Sequence, residues 1–270
     1  MRVSFINFIR LGSDLWRVQS NPLLALFLRT VGTLDIHARI RNVHLMNALH
    51  NLDLNHRRVL DIGSGRGYLL FYLARRFPGG DFEGIELDSR RTLECEMVAK
   101  EAGLTNLSFH QGTIQFLHDE PVYNLIISID VFEHVLDDIG MLQKMARILQ
   151  PGGKIAIHVP LRHQRQRRIF PVFRNHIIAD HVRDEYLPAE ITDKVLSAGL
   201  EVDEVNFGFG ILGELAFELN NLFWDHKALR ITTALFTFPI SLLLGYLDAN
   251  KNLAQGNSIV IIASRPSFSS

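Results

Sequence analysis

The chain has 270 residues, 47% hydrophobic and 21% charged, with a formal net charge of −1. That is ordinary globular composition, long enough for a sizeable core, and it lacks the strong positive charge of a dedicated nucleic-acid binder. A single cysteine, Cys95, excludes an intramolecular disulfide and a cysteine-based zinc site and points to a reducing compartment. Arg10, Asp14 and Arg17 interrupt the apolar stretches of the N-terminus, and no small-residue cleavage site follows one, so a cytoplasmic location is expected.

Residues 1–50 carry apolar residues at helical spacing, with a break at Asn21-Pro22. Val59–Ile62 suits a short buried strand and runs into the turn G-S-G-R-G at 63–67. A helix over 68–77 closes at Pro78-Gly79-Gly80, and "DFEGIELD" (81–88) reads as a second strand. A charged helix then runs to Ala102-Gly103. "NLSFHQG" and the strongly apolar "YNLIISID" (123–130) give strands three and four. A helix over about 135–149 stops at Pro151-Gly152-Gly153, and "KIAIHVP" is strand five. Strands alternating with helices of this length imply right-handed crossovers and a parallel sheet covered on both faces. Beyond Pro160 comes a long irregular insert, then a helix over "PAEITDKVLSAGL", a sixth strand over "EVDEVNFGFG", an apolar helical stretch over 211–250 and a closing strand in "NSIVIIASRP".

The glycine turn holds Gly63, Ser64, Gly65 and Gly67 and lies at the carboxyl end of the first strand, where open α/β sheets bind ligands. Glycines there let a ligand approach the backbone. Glu86, ending the second strand, can accept hydrogen bonds from the hydroxyls of a ribose. Turn and acid together indicate a nucleoside-containing cofactor, a device that NAD-binding proteins share. Here Tyr68 occupies the place of the third glycine in G-x-G-x-x-G. Asp61, two residues before the turn, suits the ammonium group of an amino-acid tail better than a pyrophosphate.

With "VLDIGSGRG", "GIELD", "FHQGT", "YNLIISIDVFEHV" and "LQPGGKIAIHVP" in this order and at this spacing, residues 57–160 resemble the class I S-adenosylmethionine-dependent methyltransferases. "AEITDKVLSAGLEV" resembles the late helix and sixth strand of the same family. The resemblance implies a Rossmann-like, doubly wound α/β fold. Its sheet has seven strands, the last antiparallel and inserted between the fifth and sixth. It implies a methyltransferase domain over 51–270 with inserts at 161–187 and 211–255, behind an N-terminal helical cap over 1–50. S-adenosyl-L-methionine is the implied cofactor. Asp61, Gly63 and Gly65 would line its methionine part, Glu86 would hold the ribose, and Leu87 would lie beside the adenine. After Gly112 the family often has an acid that contacts the adenine amino group; this chain has Thr113. Asp130, ending strand four, would stand near the transferred methyl group.

The acceptor is less defined. Methyl transfer from a sulfonium is an in-line displacement in which positioning does most of the work, and a protonated acceptor also needs a base. His134, in "FEH", and His181, in "ADHVRDEY", are the candidates. Val131-Phe132 stand where amino-methylating DNA and protein-glutamine enzymes carry "PPY", and Cys95 lies far from strand four. The twelve histidines show no H-E-x-x-H-type pairing, so no metal site is expected. A small-molecule, sugar or lipid-like acceptor methylated on oxygen or nitrogen is the reading, with "RHQRQRR" (162–168) as a candidate anion contact. The alternative is a methyltransferase-like binding or scaffold protein without catalysis. The uncharged stretch 231–247 is short for a membrane span and contains Pro239. It is expected to form a core or lid helix, with an interfacial membrane helix as the second reading.

Overall fold

The computed structural model describes residues 3–161, 169–173, 182, 185–222 and 227–267. The N-terminal region forms helices α1 (Phe5–Ile9), α2 (Pro22–Val31) and α3 (Ile36–Ala48), with a 3-10 helix over Ser13–Val18. Their starts follow from local chemistry. The Asn21 side chain accepts from the Leu23 and Leu24 N–H groups with Pro22 at the first helical position, and Asp35 accepts from Ala38.

The sheet strands are β1 (Arg58–Ile62), β2 (Asp81–Glu86), β3 (Leu107–Gln111), β4 (Tyr123–Ile129), β5 (Leu149–Pro160), β6 (Glu201–Gly208) and β7 (Ser258–Ser264). They lie in the order β3-β2-β1-β4-β5-β7-β6. β7 pairs antiparallel with both β5 and β6, and the remaining pairs are parallel. The last strand therefore sits antiparallel between the fifth and sixth, as the motif series implies. Strands β1 to β6 all end on one edge, which carries Ile62, Glu86, Gln111, Ile129, Pro160 and Gly208.

Helices α4 (Tyr68–Arg76), α5 (Ser89–Glu101), α6 (Asp138–Ile148), α7 (Pro188–Ser197), α8 (Ile211–Asn220) and α9 (Lys227–Ala249) complete the fold. Side-chain alternation along the strands builds two cores. Val59, Phe82, Leu125, Ile127, Val260 and Ile262 join the core that also holds side chains of α3, α4, α5 and α9. Leu60, Ile85, Ile126, Ile155, Ile259 and Ile261 join the opposite core with α6 and α7. Both faces of the inner strands are covered, so β4 and β7 are apolar almost throughout, whereas the edge strand β6 carries Glu201, Asp203, Glu204 and Asn206 and is largely exposed.

Several boundaries differ from those expected. α6 begins at Asp138, because Phe132–His134 form a separate 3-10 turn and Asp137 caps the helix by accepting from the Gly140 N–H. β5 begins at Leu149 and runs through Pro151-Gly152-Gly153, since Leu149 already pairs with Tyr123 before a register shift. The helical stretch expected over 211–250 is present as two helices, α8 and α9. α9 packs on the N-terminal helices: the Phe27 and Phe238 rings lie 6.3 Å apart, and Tyr246 meets Phe5 at 4.9 Å and Phe8 at 5.7 Å. Among the described residues no helix is long and apolar enough to cross a membrane.

Candidate cofactor and active site

The turn after β1 is held in place by backbone bonds from Gly63 and Ser64 N–H to the Ile85 carbonyl, at 2.8 and 3.0 Å. Gly63 has φ +70°, and a Cβ there would come within 2.4 Å of Val131 Cγ2. Gly65, at φ +57°, has a different environment: a Cβ would meet only the Gly63 carbonyl, at 3.9 Å, so its open side is left for a ligand. Gly67 is the N-terminal cap of α4. Beneath the turn, Cys95 is buried on α5 with its Sγ against the Gly65 carbonyl, and burial pushes its thiol up to about 12.

Glu86 is buried at the end of β2. Its Oε2 accepts from the Gly65 N–H at 2.8 Å and its Oε1 from the Asp88 N–H at 3.0 Å, so the carboxylate is fixed against the turn. Asp61 is also buried, and its Oδ1 has no hydrogen-bond partner among the described residues. Burial, then the nearby Glu86, push its carboxyl up to about 8, against a smaller opposing effect of Arg41. Ser64 Oγ is another buried polar atom without a hydrogen-bond partner among the described residues. Asp61, Gly63, Ser64 and Gly65 line one cavity of about 180 Å³ together with Arg41, Asn42 and Tyr68.

Leu87 and Phe116 flank the β2 and β3 ends and are 70% and 81% exposed. Gly112 donates its N–H to the Glu86 carbonyl at 3.0 Å. Thr113 is exposed and begins a short 3-10 turn without capping it through its side chain.

Asp130 follows β4 with φ +51°, a left-handed conformation unusual for aspartate. Arg41 on α3 donates to its Oδ2 and His158 Nδ1 on β5 donates to its Oδ1, each at 2.5 Å. Burial alone would raise the carboxyl, but His158 and Arg41 outweigh it and hold the group far below the ordinary carboxylate range. His158 is itself buried, and its Nε2 has no hydrogen-bond partner among the described residues. His37, near this cluster, packs its ring on Phe209 at 4.7 Å and Phe217 at 5.6 Å. Burial and Arg41 pull its pKa down to about 4, leaving the imidazole neutral. Glu133 is buried, and burial together with Asp130 raises its carboxyl well above the usual value. His134 is exposed at the end of the 3-10 turn, and His181 lies outside the described residues.

The fold thus brings Asp61, Gly63, Ser64, Gly65 and Glu86 together at one turn, with Gly112 linked to Glu86. Sequence reasoning missed Arg41, His37 and His158. His158 left a trace, a lone histidine inside "KIAIHVP", a strand otherwise apolar from Ile155 to Val159. Arg41 left none, because it reaches Asp130 across 89 positions of sequence.

The site residues match an S-adenosylmethionine group on the structure's own terms. Asp61 offers a buried oxygen without a donor, Glu86 a fixed carboxylate, and Gly65 an open approach. A family described as a methyltransferase domain matches residues 53–197, just over half the chain. A ubiquinone biosynthesis O-methyltransferase from Paracidovorax citrulli is 29% identical over 127 residues, covering 44% of this chain and 52% of that protein. The match therefore spans about half of that relative's length. One of the same name from Acinetobacter baylyi is 23% identical over 186 residues, covering 63% and 77%. Among solved structures, the Haemonchus contortus phosphoethanolamine N-methyltransferase 2 in complex with S-adenosyl-L-methionine superposes with a TM-score of 0.60 at 18% identity. That alignment covers 98% of this chain and 60% of the other. The [4+2]-cyclase SpnF superposes at 0.61 with 14% identity, over 86% and 83%. At such identities these two likenesses establish the fold alone. With the family matched across the glycine turn, β2 and the strand-four edge, the chain belongs to it, the class I S-adenosylmethionine-dependent methyltransferase family.

Proposed function

We propose that the chain methylates an oxygen atom of a small-molecule acceptor with an apolar or aromatic body, and that Asp61 and Glu86 are its main cofactor contacts. The observation that carries the cofactor assignment is the buried, unpartnered Asp61 Oδ1 beside the open Gly65. A buried carboxylate without a donor is costly, and a bound ammonium group relieves that cost. The relatives named as O-methyltransferases support oxygen as the accepting atom. The rings of His37, Phe209, Phe217 and Phe173, gathered at the carboxyl edge, support an apolar acceptor body.

When bound, S-adenosylmethionine supplies a methyl group already activated by its sulfonium. Asp61 would hold the ammonium end, with Gly63, Ser64, Gly65 and Gly67 shaping the wall around it. Glu86 would accept from the ribose hydroxyls with lone pairs its two backbone bonds leave free. Exposed Leu87 and Phe116 would cover the faces of the adenine, with Gly112 and Thr113 at its edge. Asp130 already carries two cationic or imidazole donors, so its task is to fix charge and orientation at the end of β4 rather than to take a proton. His134 and His181 remain the proposed bases. The N-terminal helices and the 211–255 insert would cap the acceptor.

The test is methyl transfer from labelled S-adenosylmethionine to a panel of phenols, alcohols and amines. Transfer to hydroxyl acceptors is expected. At least one of His134→Ala and His181→Ala should lower turnover with cofactor affinity unchanged. Transfer to amines alone would contradict the oxygen assignment, and full turnover in both variants from pH 6 to 9 would contradict a histidine base.

A further inference from the structure

A second cavity, of about 650 Å³, lies between the N-terminal helices and α4. Five arginines from four elements line it: Arg10, Arg17, Arg29, Arg75 and Arg76. Asp14 is its one lining carboxylate among the described residues. It is already engaged, by Arg17 at 3.2 Å and by Arg75 Nη1 at 2.6 Å. Arg10, Arg29 and Arg76 have no carboxylate partner among the described residues. The guanidinium groups of Arg17 and Arg29 lie 5.0 and 5.2 Å from the ring centroid of Trp16. Stacking of this kind orients the planar cations without using their N–H edges; Arg17 donates to Asp14, and Arg29 has no carboxylate partner among the described residues. Five converging guanidinium groups against one carboxylate are a mismatch that an anionic ligand would correct, and the planar fork suits phosphate oxygens.

The rim adds a second feature. Ile6 on α1 is 66% exposed and precedes by four residues Arg10, the C-terminal cap of that helix, whose N–H donates to the Ile6 carbonyl; Leu26 is 59% exposed and precedes Arg29 by three on α2. Residues at these spacings share a helix face, so each helix presents an exposed aliphatic side chain one turn from a basin arginine. Leu23, 78% exposed, extends the α2 stripe by another turn.

We propose that this basin is a phosphate-ester site, separate from the cofactor pocket, that takes the phosphate of an amphiphile or of a soluble phosphate ester. Tyr68 lines both cavities and is the wall between them.

Trp16 is the reporter. In a Trp224→Phe background it is the sole tryptophan, and its fluorescence can be titrated with inorganic pyrophosphate and with vesicles. The vesicles are phosphatidylcholine alone or phosphatidylcholine containing phosphatidylglycerol, all at constant ionic strength. A saturable change with pyrophosphate or with the phosphatidylglycerol vesicles is expected. It should weaken at least tenfold in Arg10→Gln/Arg76→Gln, which leaves both Trp16 partners in place, and stay unchanged in Arg57→Gln/Arg90→Gln, which removes two exposed arginines elsewhere. Saturation by the vesicles and not by pyrophosphate assigns a lipid headgroup; saturation by pyrophosphate assigns a soluble ester. Circular dichroism and S-adenosylmethionine affinity should match the parent in both double variants. No response to either probe, or equal weakening in the two double variants, would overturn the proposal.

Discussion

Asp61 is the penultimate residue of β1 and Asp130 directly follows β4, both at the carboxyl edge of the sheet, yet their surroundings drive them in opposite directions. Burial, with the Glu86 carboxylate nearby, raises the Asp61 pKa to about 8. Asp130 has Arg41 and His158 on its two oxygens and stays ionised. The Asp61 shift has a definite sign. Its folded-state pKa lies above the ordinary value of 3.8, so in the free protein its favourable contribution is present below about pH 4 and is lost as the pH rises towards 8. The melting temperature of the wild type relative to Asp61→Asn should therefore fall across that range and level off above it. Cofactor affinity should move the other way. An ammonium group needs the ionised carboxylate, so affinity should weaken towards about tenfold per pH unit below 8, and Asp61→Asn should flatten that dependence while weakening binding. Calorimetric titration from pH 6 to 8.5 checks both. Arg41→Met leaves Asp130 with His158 alone and should destabilise the fold by about 3 kcal/mol in urea denaturation. Asp61, Gly65 and Glu86 were legible in the sequence because a contiguous turn and one strand end place them, and their roles depend on backbone the motif itself builds. Arg41 and His158 were not, because their roles exist only once α3 and β5 have been brought to β4.

At the scale of elements, strand and helix order could be read from periodicity, whereas the joints could not. The 3-10 turn at 132–134 follows Asp130, which is left-handed and whose carboxylate is held by Arg41 and His158, residues remote in the chain. The N-terminal helices are organised around Arg39, which has no surface exposure. Its guanidinium donates to the carbonyls of Phe8, Ile9, Val31 and Thr33, and so ties the ends of α1 and α2 to α3. Burial pulls its pKa down to about 9, which still leaves it charged at neutral pH. Arg39→Met removes these donors and leaves buried carbonyls unpaired; a loss of about 3 kcal/mol or more is expected by urea denaturation. Gly63→Ala combines a left-handed backbone with a contact to Val131 Cγ2, and should cost about 2 kcal/mol. Adding Val131→Ala should recover part of that loss, since it removes the clash and leaves the backbone strain; thermal denaturation of the two variants separates the contributions.

For the whole molecule, the fold alone does not determine the chemistry, since a cyclase and a methyltransferase both superpose on this chain. What singles out the cofactor is the arrangement at one edge of the sheet: the open Gly65, the fixed Glu86 and the unpaired Asp61 oxygen within one turn. The most direct test of that account is a calorimetric titration of wild type and Glu86→Ala with S-adenosylmethionine, with NAD run alongside. The account predicts micromolar binding of S-adenosylmethionine to the wild type, no binding of NAD, and at least tenfold weaker binding by Glu86→Ala with its circular dichroism unchanged. Undiminished affinity in Glu86→Ala, or a preference for NAD, would contradict it.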